Sequence, residues 1–296
     1  MSAWAGRCAV VMAPIVLAAC QPGVLEPKGI VGVADKTILI DSLAIMLAIV
    51  VPTILATLGV AWWFRSSNTR AIYLPHFEYS GRIELVVWSI PLLTVALLGG
   101  VAWIGSHELD PAKPLPSDTP PLEIQGVSLD WKWLFIYPDQ RVASVNELVV
   151  PAGVPLHFSL TSGSVMNAFF IPQLGSMIYT MNGMRTQLNL RADEPGTFRG
   201  LSSHYSGDGF ADMHFEVRAL PPEQFAAWIE HTRSAGPRLD ARSYAALARQ
   251  SIDPTPFTFS AADPRLFQEI VTQKLPPGPG PETGRPDRSV SPRTEH

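Results

Sequence analysis

Cysteine is nearly absent from this chain of 296 residues, since only Cys8 and Cys20 occur and both lie within the first twenty positions. The remainder of the sequence therefore offers no disulfide and no thiolate metal ligand. Charge is also scarce, with 16% charged residues and a net charge of −4, so no basic excess indicates a nucleic-acid partner. The 47% of hydrophobic residues suffices for a globular core and for membrane segments.

The first twenty residues have the features of a secretory signal. Arg7 precedes an apolar run, residues 9–19, that is too short to span a bilayer. The run ends in the letters LAAC, which resemble the bacterial lipoprotein cleavage box. We therefore predict that residues 1–19 are a cleaved signal peptide and that Cys20 becomes the lipid-bearing first residue. The alternative is an ordinary signal peptide with a chance cysteine.

Two apolar runs, residues 42–64 and 84–105, are each long enough to cross the hydrocarbon core, and tryptophans lie near their ends. They predict two transmembrane helices that form a hairpin. The loop between them, residues 65–83, contains three arginines and one glutamate. The positive-inside rule therefore places this loop in the cytoplasm and both termini, including the segment of residues 20–41, in the periplasm.

After a proline-rich linker, residues 106–120, the hydrophobic period changes to two. A first set of large apolar side chains alternates in one register, as a single strand would: Val127, Leu129, Trp131, Trp133, Phe135 and Tyr137. Shorter alternating runs follow, separated by Pro and Gly turns. Residues 121–220 are therefore predicted to form an all-β sandwich with Greek-key connections.

The pattern changes again after residue 220. In residues 221–275, Phe225, Trp228 and Ile229 lie at helical spacing, which predicts a short helical extension that packs on another part of the protein. Residues 276–296 are rich in proline and glycine and too polar to form a core, so we predict a disordered tail.

The stretch GLSSHYSGDGFADM, residues 200–213, resembles the copper-binding loop of subunit II of cytochrome c oxidases. In that family cysteine, histidine and methionine side chains and one backbone carbonyl bind a dinuclear copper centre. The corresponding positions in this chain are Asn167, Ser202, His204, Ser206, Phe210 and Met213. Hydroxyl, amide and phenyl groups cannot replace the soft sulfur and nitrogen ligands that select copper. We therefore predict that this chain holds no metal.

An alternative metal site would combine His204, His214 and Met213. No cysteine or carboxylate falls among these residues at a useful spacing, and metal sites are specific about ligand number. Packing is therefore the favoured interpretation of all three residues.

Taken together, the cleavage box, the helical hairpin, the segment DWKWLFIYP, the loop without copper ligands and the extension resemble subunit II of bo-type ubiquinol oxidases, within the haem-copper oxidase superfamily. The resemblance covers almost everything from Cys20 to Lys274. It implies a cupredoxin-like periplasmic domain without a redox cofactor, ubiquinol as the substrate of the complex, and haem and copper in subunit I. It also implies subunits I, III and IV as partners, and a place in the bacterial inner membrane.

Glu84 lies at the cytoplasmic start of the second span and resembles the glutamate that, in this superfamily, marks the mouth of a proton path into subunit I. The alternative is a solvated carboxylate that complements the helix dipole. Trp131 and Trp133 match the aromatic stretch that passes electrons inward in relatives with copper. Here core packing is the favoured interpretation of both tryptophans.

The favoured function is an accessory subunit of a proton-pumping terminal ubiquinol oxidase, which would contribute to assembly and to a proton-entry path. Two alternatives are a cytochrome c oxidase subunit II that binds copper and a stand-alone, membrane-tethered cupredoxin that handles copper. Both require metal ligands at positions where the sequence has serine, asparagine and phenylalanine.

Overall fold

A computed structural model describes residues 23–72, 74–252 and 255–278. It divides the chain into two compact units, of which residues 34–110 form one. The other unit combines the segment up to Val33 with everything from Pro111 onward. The predicted signal peptide, Cys20 and most of the predicted tail lie outside the described residues.

Two long helices, α1 (Ile30–Trp63) and α2 (Gly81–Glu108), dominate the unit of residues 34–110. Both are long and apolar enough to cross a membrane, as the sequence predicts. Their apolar side chains are mostly exposed, as expected for helices that face lipid or partner proteins. α1 begins within the segment predicted as periplasmic, and α2 extends beyond both ends of the predicted span of residues 84–105.

The second unit is rich in strands. They are β1 (Leu122–Leu129), β2 (Lys132–Tyr137), β3 (Val142–Val145), β4 (Glu147–Pro151), β5 (Leu156–Ser162), β6 (Asn167–Phe170), β7 (Ile178–Thr180), β8 (Thr186–Leu190), β9 (Gly196–Ser202), β10 (His214–Leu220), β11 (Arg238–Leu239), β12 (Phe257–Phe259) and β13 (Ala261–Ala262). Six strands form one sheet in the order β12-β3-β2-β1-β5-β8, and five form another in the order β4-β10-β9-β6-β7. The predicted β-sandwich is confirmed.

The alternation predicted over residues 127–137 is not one strand but a tight hairpin. Leu129 pairs with Lys132, so Asp130 and Trp131 form a two-residue turn, and Trp131 adopts a positive φ of 63°. Such a turn reverses the parity of the side chains. Val127 and Leu129 therefore lie on the outer face of the sheet, whereas Trp133 lies on the inner face.

An inner core fills the space between the two sheets and is dominated by aromatic rings. Its central members are Trp133, Phe135, Phe158, Phe169 and Phe215. Ring centroids lie 5.3 Å apart for Trp133 and Phe169 and 5.6 Å apart for Trp133 and Phe215, which joins strands of both sheets. Aromatic pairs at such distances stabilise a core beyond the area that they bury.

An outer core lies on the opposite face of the six-stranded sheet, under the C-terminal extension. The extension contains the helices α3 (Pro222–Ser234), α4 (Ala241–Leu247) and α5 (Leu266–Val271), together with β11, β12 and β13. Of these, α3 packs against the inner core through Ile229, and the outer core lies under the elements that follow it. The outer core includes Val127, Leu129, Leu134 and Ile136 from the sheet and Tyr244, Phe259, Leu266, Phe267 and Ile270 from the extension. Residues 238–271 of the extension therefore form a third layer of the domain, and this layer includes strands that the sequence did not predict.

The segment before α1 is joined to the β domain by backbone hydrogen bonds. The N–H of Lys28 donates to the carbonyl of Gln173 over 2.7 Å, and the N–H of Asp193 donates to the carbonyl of Lys28 over 2.9 Å. At Gly29 a Cβ atom would overlap the carbonyl oxygen of Arg191, so this close approach requires glycine.

Candidate functional site

The candidate site is the loop between β9 and β10. The N–H of Ser202, at the end of β9, donates to the carbonyl of Met213 over 3.1 Å, which closes the loop at its base. A short 3-10 helix, Phe210–Asp212, leads the chain back to β10. Both ends of the loop are thus fixed by the five-stranded sheet, and the side chains between them are held on a rigid frame.

Ser202 and Asn167 form a buried polar pair within this frame. The Ser202 hydroxyl lies 3.1 Å from Asn167 Oδ1 and 3.3 Å from the carbonyl oxygen of His204, and can donate to either. The Asn167 amide in turn donates to the carbonyl of Val165 over 3.3 Å. The two side chains have almost no exposed surface, so each satisfies groups that would otherwise be buried without hydrogen bonds.

Ser206 and Met213 form a second buried pair. The Ser206 hydroxyl donates to Met213 Sδ over 3.9 Å, and Met213 is 2% exposed. The carbonyl of Ser206 accepts a hydrogen bond of 3.1 Å from the indole N–H of Trp131. A Cβ atom at Gly209 would overlap the Trp131 ring, so the loop lies directly on this tryptophan. Trp131 therefore packs against the loop.

The other two aligned positions, His204 and Phe210, contact aromatic rings instead. The His204 ring lies edge-on to Tyr179, with centroids 5.7 Å apart. Phe210 lies edge-on to Tyr205 at 5.6 Å. The structure thus brings Asn167 to Ser202 and Ser206 to Met213, whereas His204 contributes only its carbonyl oxygen to this network.

These donors do not fit a dinuclear copper centre. The network offers two hydroxyls, one amide and one thioether, and Met213 Sδ already accepts a hydrogen bond. Copper at such a site needs thiolate and imidazole ligands. Among the residues that the structure describes, no three or more His, Cys, Asp and Glu side chains cluster as a metal site would require. His214, from the alternative metal site, lies on β10 beside Phe215, whose ring belongs to the inner core.

Lys132 is a residue that the sequence analysis missed. It follows Trp131 in the hairpin, and its ammonium group donates to the carbonyl of Arg249 over 2.6 Å and to the hydroxyl of Ser251 over 2.5 Å. Burial lowers its pKa to about 8, partly offset by the nearby charge of Asp130. The sequence signal for a buried, paired ammonium group was a lysine between two tryptophans in an apolar run. The structure shows that Lys132 joins the hairpin to the extension.

Glu84 lies in the first turn of α2 and is exposed. A carboxylate there complements the positive end of the helix dipole. This geometry suits the dipole interpretation and also leaves the carboxylate accessible to a partner subunit.

Comparison with known proteins supplies the family. Residues 138–220 match a family described as cytochrome C oxidase subunit II, periplasmic domain, and residues 233–278 match one described as COX Aromatic Rich Motif. The first match agrees with the cupredoxin-like sandwich, and the second covers most of the extension that forms the outer core.

Several curated relatives are similar to this chain over most of its length. Ubiquinol oxidase subunit 2 of Acetobacter aceti is 47% identical over 261 residues, which cover 88% of this chain and 85% of that protein. Cytochrome bo(3) ubiquinol oxidase subunit 2 of Pseudomonas aeruginosa is 46% identical, with 88% and 78% covered. The protein of that name from Buchnera aphidicola is 40% identical, with 86% and 90% covered. This chain therefore belongs to the family of ubiquinol oxidase subunit 2 proteins.

Proposed function

We propose that this chain, as a subunit of a terminal oxidase complex, serves an enzyme that takes its electrons from ubiquinol, and that the chain itself holds no redox centre. The family supports the place in an oxidase complex, with subunit I as its main partner. The names of the relatives support ubiquinol as the substrate. Haem and copper would belong to subunit I, and subunits III and IV would complete the complex.

The observation that carries this proposal is the packed loop between β9 and β10. Ser202 is hydrogen-bonded to Asn167, Ser206 to Met213, and the indole of Trp131 to the Ser206 carbonyl. Four of the six positions that correspond to copper ligands, Asn167, Ser202, Ser206 and Met213, thus form two hydrogen-bonded pairs. We infer that the frame is kept for its shape while electrons reach the complex by another route.

The proposed overall reaction balances without a redox group in this chain. Two ubiquinol molecules release four electrons and four protons and become two quinones, and one dioxygen molecule accepts four electrons and four protons to form two waters. A quinol dissolves in the bilayer and can therefore deliver electrons from within the membrane. A copper centre on the periplasmic side would then not be needed to transfer electrons into the complex.

The decisive experiment compares electron donors and metal content in the purified complex. We expect oxygen consumption with ubiquinol and none with reduced cytochrome c, and copper no greater than subunit I accounts for. Oxidation of cytochrome c together with extra copper would favour a cytochrome c oxidase subunit II instead. Purification of the chain with copper but without a haem-containing partner would favour the stand-alone copper-handling protein.

We further propose that Glu84 lies at the entrance of a proton path. Its exposed position in the first turn of α2 leaves the carboxylate accessible. In the assembled oxidase, Glu84→Gln should slow turnover and proton uptake without reducing assembly. Glu78→Gln, which removes an exposed carboxylate from the loop just before α2, is the matched control. Equal turnover in both variants would support the dipole interpretation of Glu84.

The anchoring of the chain forms the last part of the proposal. We infer that the two helices span the bacterial inner membrane, that Cys20 carries lipid, and that the β domain is periplasmic. The apolar surface of both helices supports anchoring in a membrane. Mass spectrometry of the mature N-terminus tests the lipid, and a free thiol on Cys20 would contradict it. Labelling of single cysteines introduced into the loop and the β domain tests the orientation.

A further inference from the structure

The loop between the two long helices forms an open cavity of about 540 Å³. Its lining residues are Trp63, Phe64, Arg70, Ile72, Leu74 and Phe77. The first two come from the end of α1 and the residue after it, and the other four from the loop. The volume lies within the range of about 300–1,000 Å³ that is typical of sites for small molecules and cofactors.

The walls of this cavity are apolar and exposed. Ile72 is 75% exposed, Leu74 is 64% exposed and Phe77 is 60% exposed. A group of large apolar side chains that stays open to the surroundings indicates a surface that another apolar molecule covers. These residues follow directly after a helix of membrane-spanning length, whose last residues include Trp62 and Trp63. Tryptophan is enriched where the hydrocarbon meets the headgroups, so the cavity lies at that depth.

One side of the cavity carries a positive charge. Arg70 is the only charged residue in the lining, and its guanidinium makes no ion pair with any residue in the described part of the chain. Its backbone N–H is held by Asn68 Oδ1 over 3.1 Å, which fixes the position of the residue. Arg65, by contrast, donates to the carbonyl of Trp62 over 2.8 Å and lies over the Trp62 ring.

We propose that this cavity binds one anionic phospholipid of the surrounding membrane. The acyl chains lie against Ile72, Leu74 and Phe77, and the phosphate accepts hydrogen bonds from Arg70. A guanidinium presents its N–H groups in a planar fork that matches phosphate oxygens. An inorganic phosphate in solution would gain nothing from the apolar wall. A zwitterionic lipid would add an ammonium group beside Arg70. The combination of an apolar wall and one arginine therefore favours an anionic lipid.

The proposal requires the membrane anchorage of the chain and is independent of the electron donor. Its test uses the whole delipidated oxidase complex, titrated with phosphatidylglycerol or with phosphatidylcholine of the same acyl chains, and bound lipid is counted by native mass spectrometry. We expect phosphatidylglycerol to bind more tightly, and Arg70→Gln to weaken its binding about tenfold, as the loss of a charged hydrogen bond predicts. Arg82→Gln removes the same charge outside the cavity and should leave the binding unchanged.

A second measurement identifies the occupant directly and does not depend on the arginine variants. The photoreactive residue p-benzoylphenylalanine in place of Ile72 should cross-link to phosphatidylglycerol when the complex is irradiated in vesicles that contain this lipid. A cross-link to another subunit would instead show that a protein covers the cavity. That result would overturn the proposal, as would equal binding of the two lipids, equal losses in Arg70→Gln and Arg82→Gln, or displacement of the lipid by inorganic phosphate. Ubiquinol oxidation, measured separately, tests the proposed function alone.

Discussion

The inner and outer cores share one sheet but are built in different ways. The inner core joins two sheets through aromatic rings, and most of its members follow the alternation of strands between residues 122 and 219. The outer core joins the same sheet to the extension, whose residues 238–271 are short helices, short strands and turns. Local sequence pattern therefore specifies the inner core, whereas contacts between distant parts of the chain specify the outer one.

This difference has an energetic consequence. The inner core is enclosed between two hydrogen-bonded sheets. We therefore expect its residues to become exposed only when the whole domain unfolds. The extension is held by the apolar contacts of the outer core, by the β3–β12 pairing and by isolated polar bonds such as that of Lys132. We therefore expect residues 238–271 of the extension to open locally while the sandwich stays folded.

The largest effect is expected from removing one large side chain from each core. Trp133→Ala should lower the free energy of unfolding of the β domain by about 3–5 kcal/mol, because it leaves a cavity among Phe135, Phe169 and Phe215. Phe267→Ala should instead speed hydrogen exchange in residues 238–271 and leave β9 and β10 protected. Hydrogen exchange read by mass spectrometry distinguishes the two. Equal loss of protection in both regions would show that the two cores form one cooperative unit.

A pH-dependent effect is expected from Lys132. Its pKa is about 8 in the folded chain and 10.5 when exposed, so the unfolded chain binds more protons between these values. The contribution of Lys132 to stability should therefore rise as the pH increases from 8 to 10.5, by up to about 3 kcal/mol. In Lys132→Met this rise should be absent, because no ammonium group remains to be buried. Chemical unfolding of both chains at several pH values measures this difference. Parallel curves of stability against pH would contradict the lowered pKa of Lys132.

A smaller effect is expected from Tyr137, which links β2 to β4. Its hydroxyl donates to the carbonyl of Val149 and accepts from the N–H of the same residue, both over 2.9 Å, and burial raises the pKa of the phenol. Tyr137→Phe should cost about 1–3 kcal/mol, because it leaves two buried backbone groups without this partner. Tyr205→Phe, at an exposed position, is the control and should be nearly neutral.

The smallest effect is expected at the start of α4. The Asp240 carboxylate accepts a hydrogen bond of 2.8 Å from the N–H of Ser243, which lowers the pKa of Asp240. Asp240→Ala should speed amide exchange in Ala241–Leu247 only, and the inner core should not respond. The contribution of the cap should be present at neutral pH and should fall as the carboxylate is protonated in acid. A global loss of protection would show that the extension is not an independent layer.

Alternation was enough to predict the sandwich but not the hairpin within it. A run of apolar residues at period two looks the same whether or not it turns, and the turn at Asp130 and Trp131 lacks the Asn-Gly or Asp-Gly signal of a two-residue hairpin. A tryptophan at positive φ is rare, so sequence propensities argue against it. Contacts far along the chain, with Gly209 and the Ser206 carbonyl, hold Trp131 there.

The positions of the candidate site could be predicted from the resemblance to the copper-binding loop. The hydrogen bonds among its side chains could not. The replacement of ligands at Ser202, Ser206 and Asn167 could be read from the sequence, but not the hydrogen bonds that join them to one another and to Met213. Those bonds depend on the register of β9 with β6 and β10, which the sequence alone does not fix. Lys132 was missed for the same reason, since its partners Arg249 and Ser251 lie in the extension.

The hydrogen bonds between Lys28 and the β domain impose a topological rule on the chain. Two backbone segments that bond to each other cannot be separated by a lipid bilayer. Whatever lies between Lys28 and Gln173 must therefore cross the membrane an even number of times. Insertion of only one of the two helices would place the partners of these bonds in different compartments, so the β domain can be completed only if the helical pair inserts as a unit or not at all.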